Sequence, residues 1–315
     1  LVLLWRSPWG KLDQGWPSNA TAGPCTFTYD RNRIKEAGAV LLHHTALYNE
    51  TMPWKHYRLD PDQYFVFMSQ ESGSNLVSGE HLNFSNFDAG FINLTMTHRR
   101  DSDVFTPYVT PIDVMRFSER GKSYVDDLWV VSNCKRIRGS RLRMDYVTKL
   151  VEAGLPVDRY GKCFNNKDEL AKKSKKDLES YKFYLSFENS LHCKDYVTEK
   201  FWRNGIEMGR VPVVWGPVKS NLENLVPPGS FIHAEDFKSP AELASYLMYL
   251  DRNDTAYREY FKWVEQPGEG IERIKTLYSR TKQEALCDAI MSGQRKVVES
   301  VSSFVIDDEA NECVQ

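Results

Sequence analysis

The stretch "YKFYLSFENSLHCKDYVTEKFWRNGIEMGRVPVVWGP", residues 181–217, sets two strand-like runs, KFYLSFE and VPVVWG, on either side of a crowded polar and charged segment. A helix is expected to open at about residue 197, between them. The same alternation extends upstream: a strand over 127–133, a helix over 140–153 stopped by Gly154, a strand at VDRYG (157–161), and a charged helix within AKKSKKDLES (171–180). Strands that alternate with helices imply a parallel sheet with right-handed crossovers.

In such sheets ligands sit outside the carboxyl ends of the strands, where helix N-termini direct unpaired N–H groups and a positive dipole at anions. The loop after KFYLSFE occupies that place and holds Glu188, Asn189, Asp195 and Tyr196. The following VTEK puts Lys200 in or near a first helical turn, where a cation is normally disfavoured. An anion such as a diphosphate, shared between the ammonium and the backbone donors, would account for it. The plainer account is that Lys200 pairs with a neighbouring acid on an exposed helix face. Phosphate-loop and dinucleotide-binding fingerprints are both missing.

Working outward, the first third reads as a strand at LVLLW (1–5), a helix at RNRIKEAG opened by Asp30 and closed by Gly38, and strands at AVLLHH, YFVFMSQ and FINLTMTH. Residues 106–123 lose periodicity and carry two prolines and a glycine, which marks a domain boundary. The organisation is α/β in two domains, 1–120 and 121–290, with a helical tail over 291–315 that could pack back on the first domain. "SPAE" at 239–242 reads as a capping box with proline at the first helical position.

A chain of 315 residues supports two cores. With 41 Lys and Arg against 43 Asp and Glu, no broad basic surface for nucleic acid is expected. Nothing approaches a membrane span, so any anchor lies outside this chain. Five N-x-Ser/Thr sequons, at Asn19, Asn49, Asn83, Asn93 and Asn253, point to a glycosylated face on the first domain and a secretory lumen. Six cysteines with no C-x-x-C favour disulfides over zinc, and of the 15 full pairings the sequence alone selects none.

The segment FYLSFENSLHCKDYVTEKFWRNGIEMGRVPVVWGP closely resembles the signature of the α1,3-fucosyltransferases, which move fucose from GDP-fucose onto N-acetylglucosamine units of glycans. Family-like segments also occur at LLHH (41–44), THRRDSDVFTPY (97–108), WVVSNC (129–134), RYGKC (159–163) and SFIHAEDFKSPAELASYL (230–247). The resemblance weakens after Cys287. It implies a GT-B architecture: two Rossmann-like domains facing across a cleft, acceptor on the first and nucleotide sugar on the second. It implies an inverting displacement by an acceptor hydroxyl, with no cofactor required, although stimulation by Mn2+ is left open. The expected partners are GDP-fucose and a GlcNAc-containing glycan acceptor, with membrane attachment only through an anchor outside the chain. The expected home is the Golgi lumen, as a type II membrane protein.

By the same resemblance Lys200 and Arg143 take the diphosphate. The chain is two residues longer than the family pattern between Asn133 and that arginine, so Arg141 is the alternative. Asn189, Tyr196, Val197, Thr198 and Glu199 match positions lining the donor pocket, with Glu199 accepting from sugar or ribose hydroxyls. Glu71 in SQESGSN matches the general base, but Gly73 stands where the family usually has proline. The resemblance also suggests bridges Cys163–Cys193 and Cys25–Cys287. The D-x-D at Asp101 and Asp103 reads as structural, pairing with Arg99 and Arg100, rather than as a metal site. His43 and His44, adjacent on a strand, are expected to point to opposite faces and not to chelate one metal. The acceptor, Lewis-type antenna or N-glycan core, rests with loops 45–60 and 72–90. A glycan-binding or scaffolding protein that keeps the fold without turnover is the second reading; it would need none of Glu71, Arg143 and Lys200.

Overall fold

The computed structural model describes residues 1–6, 15–47, 62–79, 82–84, 90–109, 127–174, 177–178, 181–294, 296–306 and 313. The Asn49 sequon, most of loop 45–60, parts of loop 72–90 and of the charged run, and residues 110–123 of the boundary stretch lie outside them. Two units emerge: Leu1–Pro107 with Arg280–Asn311, and Tyr108–Ser279 with Glu312–Gln315.

The first unit is built on β1 (Val2–Leu4), β2 (Thr21–Ala22), β3 (Cys25–Thr28), β4 (Ala39–His43), β5 (Tyr64–Ser69), β6 (Leu94–Thr97) and β7 (Val104–Phe105). Their order is β2-β3-β1-β4-β5-β6-β7, parallel except between β2 and β3. Alternate residues of each central strand feed opposite faces. Leu3, Val40, Leu42, Phe65 and Phe67 form one core, and Val2, Leu4, Ala39, Leu41, Val66 and Met68 the other. Both faces must therefore be covered, which is why these strands are apolar at every position. The loop between β3 and β4 is a 3-10 turn, Arg31–Lys35, that Asp30 caps by accepting from the Asn32 amide at 3.0 Å.

The second unit holds β8 (Asp127–Val130), β9 (Val157–Tyr160), β10 (Phe183–Phe187), β11 (Val211–Trp215) and β12 (Ile232–His233), all parallel in the order β12-β11-β10-β8-β9. The helices in chain order are α1 (Arg138–Glu152), α2 (Lys167–Lys172), α3 (Lys219–Leu222), α4 (Pro240–Arg252), α5 (Asp254–Arg258), α6 (Lys262–Glu265), α7 (Glu269–Leu277), α8 (Lys282–Met291) and α9 (Val301–Ile306). Val147 and Leu150 of α1 and Leu243, Leu247 and Leu250 of α4 cover one face of this sheet. At α4 the expected box is half shifted. Ser239 accepts from the Glu242 amide at 3.2 Å, while the Glu242 carboxylate accepts from Lys238 rather than from Ser239. In the first unit α8 supplies Leu286 and Cys287 to one core, and α9 supplies Val301 to the other.

Three expectations are corrected. No α-helix opens at 197: the backbone over 199–205 winds in turns, with Asn204, Ile206 and Glu207 amides reaching carbonyls five residues back, before a 3-10 turn at Ile206–Met208. Cys163 bonds Cys134, and Cys193 bonds Cys313, while Cys25–Cys287 forms as the resemblance suggested. β8 and β9 are adjacent and in register, so Cys134 and Cys163, shortly past their ends, meet; Cys193 follows β10, on the far side of β8. His43 and His44 do not splay apart: β4 ends at His43, the chain turns into a 3-10 helix, and the rings lie 4.3 Å apart.

Two sequons are built into the fold. Asn93 accepts from the Phe65 amide and donates to the Lys296 carbonyl, and Asn253 caps α5 through the Ala256 amide. Asn19 sits exposed in a left-handed turn.

Burial, then the neighbouring His44 and Lys282, hold the His43 imidazole well below its ordinary 6.5. A group whose folded pKa is depressed contributes stability that is full above the unfolded value and lost as pH falls below it. Thermal melts should therefore show stability declining below pH 6.5 by up to about 1.4 kcal/mol per pH unit for this group. His43→Gln should flatten that limb; a parent and variant with superimposable pH profiles would exclude His43 as the source.

Candidate active site

The carboxyl end of β10 delivers Glu188 into the second unit with no exposure to speak of, at 1%. Burial pushes its pKa up, and Lys200 and Thr198 work against that. Its Oε1 accepts from the Thr198 amide at 3.0 Å and hydroxyl at 2.8 Å; its Oε2 accepts from the Lys200 ammonium at 3.0 Å. The ammonium also reaches Thr198 Oγ1 at 2.8 Å and Glu199 Oε1 at 3.2 Å. Burial acts to lower the Lys200 pKa, but Glu188 and Glu199 more than reverse it, so the cation is held above its usual range. Burial would raise Glu199, yet Lys200 carries it below the usual carboxylate value. Lys200 does pair with acids, but as a largely buried group, not on an exposed helix face.

Arg143 and Arg141 lie in different environments. Arg143 is buried, donating from Nη1 to the Phe187 carbonyl and from Nη2 to the Asn133 carbonyl, both at 2.7 Å. Burial lowers its pKa while Glu188 supports its charge. Arg141 is exposed and reaches the Lys135 carbonyl.

The N-terminus of α1 was not singled out from the sequence. Its N-cap, Ile137, has no side chain to accept a hydrogen bond, so its first-turn amides look to solvent or a ligand. The Ser140 hydroxyl and Arg143 Nε beside it are buried and have no hydrogen-bond partner among the described residues. Gly139 abuts the loop so closely that a Cβ there would stand 2.3 Å from the Asn189 carbonyl oxygen. In IRGSRLR the residues able to cap, Gly139 and Ser140, lie inside the first turn, so the open start shows only in the structure. Asp195, in a left-handed conformation, exchanges two 2.8 Å hydrogen bonds with Asn221, which fixes the loop ahead of Tyr196. Tyr196 and Val197 are buried, and Asn189 is half-buried.

In the first unit Glu71 follows β5 and its Oε2 accepts from Asn75 Nδ2 at 2.9 Å. The D-x-D is committed elsewhere. Asp101 takes Arg99 on both oxygens, as expected, and Asp103 accepts from Thr95 and pairs with Lys296 at 2.6 Å. Among the described residues no group of three or more His, Cys, Asp or Glu is placed to hold a metal.

Each unit is thus an α/β layer on a largely parallel sheet, and the second carries an uncapped helix start beside a buried Lys–Glu–Thr cluster. A family model described as glycosyltransferase family 10 (fucosyltransferase) C-term matches residues 120–304, and one described as fucosyltransferase, N-terminal matches residues 1–109. The chain belongs to glycosyltransferase family 10, the fucosyltransferases, and is an enzyme of that class. It is 39% identical over 279 residues to a 3-galactosyl-N-acetylglucosaminide 4-alpha-L-fucosyltransferase of Bos taurus, covering 84% of this chain and 71% of that protein. It is 38% identical over 280 residues to a 4-galactosyl-N-acetylglucosaminide 3-alpha-L-fucosyltransferase of Homo sapiens, covering 84% and 70%. An α1,3-fucosyltransferase crystallised with GDP shares the fold at a TM-score of 0.53 and 17% identity, covering 85% of this chain and 81% of that one.

Gly139→Ala should lift α1 off the loop, at about 1–3 kcal/mol for overpacking. The expected result is a lower melting temperature together with weaker GDP binding by calorimetry. Unchanged values of both would mean that the contact with Asn189 does not set the site.

Proposed function

We propose that the chain transfers L-fucose from GDP-fucose to the 3-hydroxyl of an N-acetylglucosamine unit in a glycan, with inversion to an α1,3 linkage. The observation that carries this reading is the uncapped start of α1, where a buried hydroxyl and a buried guanidinium N–H stand without partners beside the Lys200 loop. A nucleoside diphosphate would satisfy all of them, and the helix dipole with the two cations would stabilise the charge that grows on GDP as the sugar leaves. The donor is thus read by Arg143, Lys200, Asn189, Tyr196, Val197 and Glu199. Thr198 spends its hydroxyl on Glu188 and Lys200, holding the ammonium in place.

Glu71 takes the acceptor hydroxyl's proton, a role worth roughly 10² to 10⁴ in rate. No divalent cation is assigned to the diphosphate, because both aspartates of the D-x-D are engaged by their own unit. The six cysteines all in disulfides, with the sequons, favour an oxidising secretory compartment, which fits residence in the Golgi lumen. No helix among the described residues is long and apolar enough to cross a membrane. A glycan-binding protein without turnover would have no use for a diphosphate-receptive helix start.

The test is incubation with GDP-fucose and a panel of galactosyl-N-acetylglucosaminide and N-glycan core acceptors, followed by mass and linkage analysis. Glu71→Gln should keep GDP affinity and lose about 10² or more in kcat. Lys200→Ala should weaken GDP binding sharply, and an unaltered Kd would remove Lys200 from the diphosphate.

A further inference from the structure

Glu71 is held by Asn75, the first residue of a π-helix, Asn75–Gly79, whose Leu76 is sunk in the core. Between Glu71 and Asn75 lies Gly73. A Cβ on Gly73 would stand 2.1 Å from the Val305 carbonyl oxygen and 3.0 Å from its carbon. The backbone of α9 is thus pressed directly on the turn that carries the carboxylate.

Val301 and Arg99 both hold α9 there. Val301 is fully buried in the core under the π-helix. Arg99 donates from Nη1 to the Phe304 carbonyl at 2.7 Å and lays its guanidinium 4.7 Å from the centre of the Phe304 ring. Its other N–H groups are aligned by Asp101 at 2.9 and 2.7 Å. Upstream, the Val298 amide bonds the Ile92 carbonyl, Asn93 bonds the Lys296 carbonyl, and Lys296 pairs with Asp103. The D-x-D segment therefore fastens the C-terminal segment at two points, one per aspartate.

We infer that Arg99 and Phe304 are positioning residues for the reaction, acting through α9 and Gly73 to fix the Glu71 carboxylate. The inference rests on Glu71 as the base. It also accounts for the glycine: a docked helix stiffens this turn from outside, and that docking leaves no room for a side chain. Burial of Val301 alone would make α9 a mere cover for the core. Val305 adds its side chain to that cover, but its carbonyl falls on the Glu71 turn, and the Phe304 ring and carbonyl fall on the Arg99 guanidinium.

The experiment is a double-mutant cycle on the full chain, with Phe304→Leu and Gly73→Ala made singly and in the Glu71→Gln background. Phe304→Leu keeps apolar bulk, and the outcome is judged on it if Gly73→Ala does not fold. With Glu71 present, each should lower kcat by about 10-fold to 10²-fold, the scale of misplacing a reacting group by an ångström. The acceptor KM and the GDP Kd should stay unchanged. In the Glu71→Gln background neither should cause further loss, because the group they position has gone. Wild-type kcat in Phe304→Leu, or losses that multiply in full with that of Glu71→Gln, would overturn the inference. A parent chain that transfers no fucose, or a Glu71→Gln chain as active as the parent, would instead overturn the functional reading, and the two failures are distinct.

Discussion

The second unit is organised around a carboxylate that has no access to water. Glu188 leaves β10 where the sheet ends, and at that point the chain must reverse into the loop that carries the polar residues. A buried carboxylate is tolerable only with its lone pairs filled, and Thr198 and Lys200 fill them. Removing one partner of such a pair is far more damaging than the pair is stabilising, on the order of 3–5 kcal/mol, because an uncompensated charge is left behind. Glu188 is therefore less a source of stability than of register. It obliges Thr198, Glu199 and Lys200 to return to the end of the strand that the chain left about ten residues earlier. Gly216 belongs to the same constraint, since a Cβ on it would meet Glu188 Cγ at 2.9 Å.

That register places cationic character where the fold already supplies dipole. Arg143 is tied to the carbonyls of Phe187 and Asn133, so it bridges the ends of β10 and of the β8 segment. Its neutralising carboxylates are the ones that hold Lys200. Ammonium, guanidinium, two carboxylates and an open helix start make one electrostatic unit with N–H and O–H capacity to spare. A diphosphate bound there, as proposed, would meet groups already fixed, so their orientation would cost nothing at the moment of reaction.

Much of this was legible, and its limits were physical. Continuous apolar runs separated by amphipathic segments pointed to parallel sheets, because strands buried on both faces leave that pattern. That the polar residues of 188–200 gather past the end of a strand was equally visible in sequence. Their local conformation was not, since after Thr198 the hydrogen bonds run to carbonyls three, four and five residues back in turn, and no local pattern announces that mixture. The disulfides depended on which strands are neighbours, and sheet order is a long-range property that spacing along the chain does not encode. The side-by-side histidines turned on a single residue, whether β4 includes His44 or ends before it. Such a boundary lies within the ordinary uncertainty of reading an element's end. The open start of α1 was not legible, because Ser140 stands at the expected start and passes for a cap, while the helix begins two residues earlier.

The two glycines nearest the proposed chemistry share one cause. At Gly139 the carbonyl of Asn189 fills the space of the missing side chain, and at Gly73 the carbonyl of Val305 does. Neither has a backbone conformation that demands glycine, as their φ values lie outside the left-handed region. The requirement is one of approach between two segments, so it cannot be inferred from turn chemistry. In each case a segment distant in sequence, a loop or a terminal helix, is brought to van der Waals distance of the backbone that presents a functional side chain. Contacts of this kind fix position without charge, so they add rigidity at the site and leave its electrostatics to Glu188, Lys200 and Arg143. That separation of labour leaves the Gly73 turn to be held by shape alone, whereas in the loop after β10 charge and geometry are inseparable.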